Sequence, residues 1–330
     1  MNCCSIILKF YNGLKSRLAD VRSRRRAEGI SLRDFLHILG NRRFIIFPVL
    51  IWFFALGTAA VEEGLPNEFF AMDTGTIDAN HITAKAQVEM LKELGYAGLA
   101  YWEGNPNRGS NGLPEVLAEL DRHGLKIFPL YFGANLDSEK PAYEGGVREA
   151  IKLLKGRGAI IWLHIMSQKY KKSSPEGDER AVEIVREVAD MAHERGLKVA
   201  LYPHYGDWLE RMEDAVRVVE KVNRRNVGVT FNLFHWLRVE GEENMEEMMK
   251  LAMPYLFVVT VNGSSREGSI ETLDKGDFDV YRFLKKLNEL GYSGPIGLQG
   301  YGIGGDVHEN LKRSMGAWRK FSERAASEKK

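Results

Sequence analysis

The chain has 330 residues, with 46 Lys and Arg against 45 Asp and Glu, 44% hydrophobic residues, 33 glycines and two cysteines. That profile excludes a disordered, collagen-like or disulfide-stapled protein, and the length suits either two average domains or one α/β barrel of about 250 residues. Charge is spread unevenly: the segment ending at Arg43 holds ten basic and three acidic residues, which leaves 36 basic and 42 acidic in the rest.

The first feature in chain order is the uncharged run FIIFPVLIWFFALGTAA, Phe44 to Ala60, which follows Arg42 and Arg43 and ends in small residues before Val61. Basic, then apolar, then small is the order of a secretory signal. Residues 1–60 are therefore expected to form a leader that exports the chain to the periplasm or the exterior. Left uncleaved, the same run of about 17 residues sits at the lower limit for crossing a bilayer and would anchor the protein in a membrane. Cys3 and Cys4 both lie in this leader. Residues 61–330 then hold no cysteine for a disulfide, a thiolate nucleophile or a Cys-ligated metal. Their acidic balance argues against a phosphate-binding surface, so nucleic acid is not expected as a partner.

From residue 61 onward one pattern recurs: an amphipathic helix, a glycine, then a short apolar strand. Leu94-Gly95, His123-Gly124, Arg157-Gly158, Arg195-Gly196 and Leu290-Gly291 lead into LAYW, KIFPLYF, AIIWLHI, KVALYPH and GPIGLQGY. Glycine just past a helix takes the left-handed conformation that ends it. The first three intervals, 29, 34 and 38 residues, each hold one strand, one helix and their loops. Consecutive βα units imply a parallel sheet. Strands are expected over Phe69 to Asp73, Ala97 to Trp102, Lys126 to Phe132, Ile160 to Ile165, Val199 to His204, Val227 to Phe234, Leu256 to Asn262 and Pro295 to Gly300. The clearest helices are expected over Ala84 to Leu94, Asp178 to Arg195 and Asp279 to Leu290. Eight such strands predict a single α/β domain, a (β/α)8 TIM barrel over residues 61–330. An open doubly wound sheet would carry a glycine-rich phosphate loop after its first strand, a form that Asp73-Thr74-Gly75-Thr76 lacks.

In such a barrel the βα loops gather at the C-terminal ends of the strands, and the active site with them. Those ends carry Asp73, Trp102, Glu103, His164, Tyr202, His204, Asn232, His235, Trp236, Asn262, Gln299 and Tyr301. Hydrogen-bonding groups and aromatic faces aimed at one mouth suit a polyhydroxylated ligand, whose hydroxyls need partners and whose C–H faces stack on rings.

Three stretches carry a resemblance: LDKGDFDVYRFLKKLNELGYSGPIGLQ (Leu273 to Gln299), VALYPHYG (Val199 to Gly206) and VGVTFNLFHW (Val227 to Trp236). They are similar to segments of the xylose isomerase-like TIM barrels, which include sugar epimerases, sugar-phosphate isomerases and type 2 apurinic endonucleases; the likeness runs from Glu68 to Phe321. It implies an isomerase or epimerase acting on a small carbohydrate or polyol. Sugar epimerases of this family hold one divalent metal through Glu, Asp, His and Glu at four strand ends, and these positions correspond here to Tyr202, Asn232, Asn262 and Gln299. None is a carboxylate, and neutral amides do not compensate the charge of a hard cation. The expectation is therefore a family pocket without the standard metal and with no cofactor. A displaced metal site would have to be built from Asp73, Glu103, His204 and His235. The multi-metal chemistry of the apurinic endonucleases is not expected. With the family glutamates absent, His204, His235 and Glu103 are the expected proton-transfer residues. Trp102, His164, Tyr202, Asn232, Trp236, Asn262 and Gln299 are the expected sugar-binding residues. The alternatives are a non-catalytic carbohydrate-binding barrel, or a lyase or glycoside-cleaving enzyme that reuses the pocket.

Overall fold

A computed structural model describes residues 64–107 and 112–328 of the chain. The expected signal or anchor, and the junction at residue 61, lie outside the described residues. Eight strands, β1 (Phe69–Met72), β2 (Gly98–Trp102), β3 (Lys126–Asn135), β4 (Ile160–Met166), β5 (Lys198–Leu201), β6 (Val227–Asn232), β7 (Leu256–Val261) and β8 (Ile296–Leu298), close in chain order into a barrel. Every neighbouring pair is parallel, including β1 with β8, where Phe69 lies opposite Ile296. The connecting helices are α1 (Ala84–Leu94), α2 (Leu113–His123), α3 (Val147–Leu153), α4 (Asp178–His193), α5 (Met212–Val222), α6 (Leu233–Val239), α7 (Met245–Ala252) and α8 (Val280–Glu289). The last strand is followed by α9 (Val307–Glu328).

The first helix shows how local chemistry sets these units. The Thr83 hydroxyl accepts from Ala86 N and caps α1, which ends where Gly95 turns to φ +90° and donates its N–H to Leu91 O. Val88, Leu91 and Leu94 share one side of the helix at three-residue steps and are buried against the barrel, each contributing about 1.5–3 kcal/mol by leaving water.

Apolar side chains form two layers. Residues between the strands and the helices make a continuous outer core. A smaller inner core of Phe70, Met72, Ala100, Phe128, Ile160, Trp162, Ala200, Tyr202 and Val258 fills the barrel. Phe70 stacks on Phe128 with ring centroids 4.7 Å apart. It fits because position 297 is glycine: a Cβ there would lie 2.4 Å from the Phe70 ring. The barrel is thus plugged at its lower levels and open above Trp162 and Tyr202.

Strand ends differ from the sequence expectation in ways that shape the mouth. β5 stops at Leu201, before Tyr202, because Pro203 has no N–H to continue a ladder. The next residues curl back instead: Asp207 N donates to His204 O, His204 N to Leu209 O and Leu209 N to Ile165 O. β6 ends at Asn232, whose side chain caps α6. β3 runs on to Asn135, since Gly133, Ala134 and Asn135 pair with His164, Ile165 and Met166 of β4. Together β3 and β4 therefore stand as the tallest wall of the mouth.

Candidate active site

A cavity of about 500 Å³ opens at the C-terminal end of the barrel. Its floor is the top of the inner core, Met72, Ala100, Trp162 and Tyr202, where the small Ala100 leaves room above the strands. The tall β3–β4 wall contributes Tyr131, His164 and Met166, with Glu144 from the loop that follows β3. The curled loop after β5 contributes His204 and Tyr205, and the first turn of α6 contributes Phe234 and His235. Asp73, Thr74, Tyr101, Trp102, Ile270, Gln299 and Tyr301 complete the described lining.

Three histidines meet in this cavity. The rings of His204 and His235 have centroids 4.0 Å apart, and those of His164 and His204 are 5.6 Å apart. His164 also lies flat on Tyr131, at 4.7 Å and an interplanar angle of 4°. Hydrogen-bond partners assign the protons on these rings. Nδ1 of His164 is 2.6 Å from Asp207 Oδ2, and Nδ1 of His204 is 3.1 Å from the Tyr205 carbonyl. Both acceptors require a proton on Nδ1, so each neutral ring carries its lone pair on Nε2. His235 is reversed: its Nδ1 accepts the Tyr205 N–H at 3.2 Å, which puts the proton on Nε2. The site therefore offers two basic ring nitrogens and one ring N–H donor.

Burial lowers the pKa of His204, offset in part by the nearby Asp207 carboxylate, with His164 lowering it further. Burial also takes His235 well below its usual value, reinforced by His204 and His164. Burial raises Tyr131 well above its ordinary range, with Tyr202, Asp207 and Glu144 adding to the effect. Burial likewise raises Tyr202. Both phenols thus stay protonated and remain hydrogen-bond donors.

Several expected site residues do line the cavity: Trp102, His164, Tyr202, His204, His235 and Gln299. The backbone N–H of Trp102 is held by Asp73 Oδ2 at 3.0 Å, and its ring meets Tyr131 edge-on at 6.0 Å. Asn232 lies just beneath the lining. Its amide donates to the Tyr202 hydroxyl at 2.6 Å and to Gln299 Oε1, while its Oδ1 accepts from His235 N at 3.0 Å.

Three others are placed differently. Trp236 packs into the outer core, with its ring centroid 5.5 Å from Phe231 and 6.4 Å from Phe283, because one helical step from His235 turns it by about 100°. Asn262 is turned into its own loop, donating to Gly263 O at 2.8 Å and Ser269 O at 2.7 Å. Glu103 is not among the lining residues.

The carboxylates of the site are Asp73, on the Trp102 N–H, Asp207, on His164, and Glu144, whose Oε1 accepts from Gly133 N at 2.9 Å. Asp207 follows His204 by three residues, a spacing visible in PHYGD. Glu144 had no local signal, because it lies in the loop after β3 and is held at the cavity by Gly133 N, whereas Tyr131 stands one residue before the expected end of β3.

The four positions that would hold the family's metal do not fit one. They offer a phenol, two amides and a third amide turned away, and the Asn232 NH2 group points at the two neighbouring oxygens. A hard cation needs anionic oxygens here. The displaced set is not gathered either: Asp73 holds Trp102, His235 Nδ1 is occupied by Tyr205, and Glu103 lies off the cavity. Among the described residues, no cluster of three or more His, Cys, Asp or Glu side chains is arranged to hold a metal ion.

Comparison with known proteins matches residues 88–321 to a family model described as xylose isomerase-like TIM barrel. The chain is 29% identical over 206 residues to a 2-oxo-tetronate isomerase of Haemophilus influenzae, covering 56% of this chain and 76% of that protein. It is 26% identical over 163 residues to an inosose isomerase of Bacillus subtilis, covering 47% of this chain and 57% of that protein. Among solved structures, a D-allulose 3-epimerase from Methylomonas sp. in complex with D-allulose superposes with a TM-score of 0.63 at 17% identity, covering 77% of this chain and 96% of that one.

Proposed function

Because the chain belongs to the xylose isomerase-like TIM barrel family, we propose that it is a carbohydrate isomerase or epimerase whose proton transfers run on histidines, without a resident divalent metal. The observation that carries this reading is the opposed protonation of the three cavity histidines. An isomerase must take a proton from the carbon beside a carbonyl, stabilise the oxygen that becomes negative, and return the proton to the same or the neighbouring carbon. His204 and His164 each present a basic Nε2 for the two transfers. His235 presents an Nε2–H, and the protonated Tyr131 adds a hydroxyl. In a site screened from water such donors stabilise an enediolate oxygen strongly, and a neutral imidazole can serve as the electrophile. No oxidant or reductant is consumed, because the proton and the electron pair are rearranged within one substrate. The isomerases and the epimerase to which the chain is similar carry out reactions of this class by name, which supports the assignment.

The test is solvent exchange. The full chain, treated with EDTA and checked for metal content, is incubated in D2O with a panel of aldoses, ketoses and inososes. The reading expects deuterium at one carbon of at least one sugar, with less than stoichiometric metal present. Exchange that vanishes with EDTA and returns with Mn²⁺, Zn²⁺ or Mg²⁺ would sink the metal-free chemistry. Binding with no exchange at any carbon would make the barrel a carbohydrate-binding module instead.

A further inference from the structure

We propose that the cavity is built for a neutral glycoside whose sugar ring carries a ketone, since the acetal locks the anomeric carbon and leaves no other carbonyl for the proton transfers, with the group beyond that ring stacked on Tyr301. The inference rests on the carbohydrate reading above and adds the substrate class.

Size is the first argument. About 500 Å³ is the room of some sixteen water molecules at roughly 30 Å³ each, and it falls within the span of about 300–1,000 Å³ that takes drug-sized ligands. A single pyranose seated on Trp162 and Tyr202 beside the histidines leaves the outer part of that space unfilled.

Position is the second. The three histidines belong to β4, the loop after β5 and the start of α6, whereas Tyr301 follows β8, which lies across the eight-stranded barrel from β4. A ligand touching both sides has to span the mouth. Tyr301 is 61% exposed yet lines the cavity, so one face of a large ring is open at the rim. An exposed ring of this kind binds the C–H face of a sugar or an aromatic aglycone. Its base is also held. A Cβ at Gly75 would lie 2.8 Å from the Gly300 Cα, so the loops after β1 and β8 meet backbone to backbone directly before Tyr301.

Charge is the third. Among the described residues, the lining contains no Lys or Arg, and it includes the acidic Asp73 and Glu144. Lys172 and Arg238 approach the rim over the Tyr205 ring, 5.9 Å and 5.1 Å from its centroid, and are engaged there. The start of α9 could otherwise attract an anion, but its amides are already taken: Val307 N donates to Asp78 Oδ2 at 3.2 Å and Glu309 N to Asp306 Oδ1 at 3.0 Å. Among the described residues, a phosphorylated sugar would thus meet Asp73 and Glu144 inside the cavity, with Lys172 and Arg238 at the Tyr205 rim.

Calorimetric titration of the full chain tests this with free glucose, galactose and xylose, with the β-linked disaccharide and phenyl glycoside of each, and with glucose 6-phosphate. For the sugar that binds, the glycoside is expected to bind about tenfold tighter than the free sugar, the upper range of one aromatic stacking contact. Tyr301→Ala should bring that ratio to about one, and Tyr301→Phe should keep it; circular dichroism checks that both variants fold. Equal affinity for sugar and glycoside, or a gain that survives Tyr301→Ala, overturns the proposal while leaving the isomerase reading intact. Tighter binding of glucose 6-phosphate than of glucose overturns the neutral-substrate assignment. Absence of binding by every saccharide overturns this proposal and the carbohydrate reading together.

Discussion

Tyr205 donates its backbone N–H to Nδ1 of His235, and a proton placed on that nitrogen would break the bond and put a cation next to two other imidazoles. The fold therefore holds His235, and to a lesser degree His204, in the neutral state by burial and mutual repulsion. The consequence for stability has a definite sign. Both native pKa values lie below the ordinary 6.5, so below that pH the unfolded chain binds protons that the native chain refuses. The contribution of the neutral pair is complete above pH 6.5 and is lost as pH falls from there through the native values. Melting curves between pH 7.5 and 5 should show a declining Tm that flattens in His235→Gln. A variant that declines as steeply as the parent would remove His235 as the source. Expectation and structure agree on His204 and His235 as cavity residues because both lie close to a strand end. They part at Trp236 and Glu103, each one residue from a lining side chain: one helical step takes the Trp236 ring into the outer core, and Glu103, in the turn past β2, is not among the lining residues.

At the scale of elements, Asn232 joins two of them. Its Oδ1 caps α6, which fixes the ring of His235 in the first turn, and its amide ties the Tyr202 hydroxyl to Gln299 across the barrel. Loss of a cap costs about 1 kcal/mol, and leaving a buried polar partner unsatisfied costs about 1–3 kcal/mol. Asn232→Ala should therefore lower stability by about 2–4 kcal/mol in urea unfolding, with an unchanged slope. A loss below about 0.5 kcal/mol, the usual range for an unremarkable surface change, would show that the network contributes little. Helix α1 was legible from its amphipathic pattern and its glycine, both of them local. The ends of β3, β5 and β6 were not. β3 gains its extra turn of height only by pairing with β4, and β5 and β6 yield their last expected residues to a proline and to a helix cap. Those differences of a few residues shape the mouth: the extended β3 holds Glu144 there through Gly133 N, and the curled loop after β5 brings His204 and Tyr205 to it.

At the scale of the whole molecule, the near-balance of 46 basic and 45 acidic residues conceals a basic segment up to Arg43 and an acidic remainder. The order of arginines, apolar run and small residues before Val61 leads us to expect export. Expression of the full chain followed by fractionation should place the barrel outside the cytoplasm, with the mature N-terminus close to Val61. Recovery with the membrane after alkaline extraction would instead mark the run as an anchor. The barrel itself was readable from repetition. Glycine-stopped helices and short apolar strands at near-constant intervals leave eight parallel strands few ways to bury both faces other than closure. That Tyr202, Asn232, Asn262 and Gln299 are not carboxylates was also readable, since it is a matter of residue identity. What only the tertiary structure decided is which side chains meet at the mouth. The pairing of His164 with Asp207, the proton positions on three imidazoles and the placing of Tyr301 opposite β4 join residues distant in sequence. Such contacts follow from strand register and loop path, which depend on packing across the barrel rather than on any local run of residues.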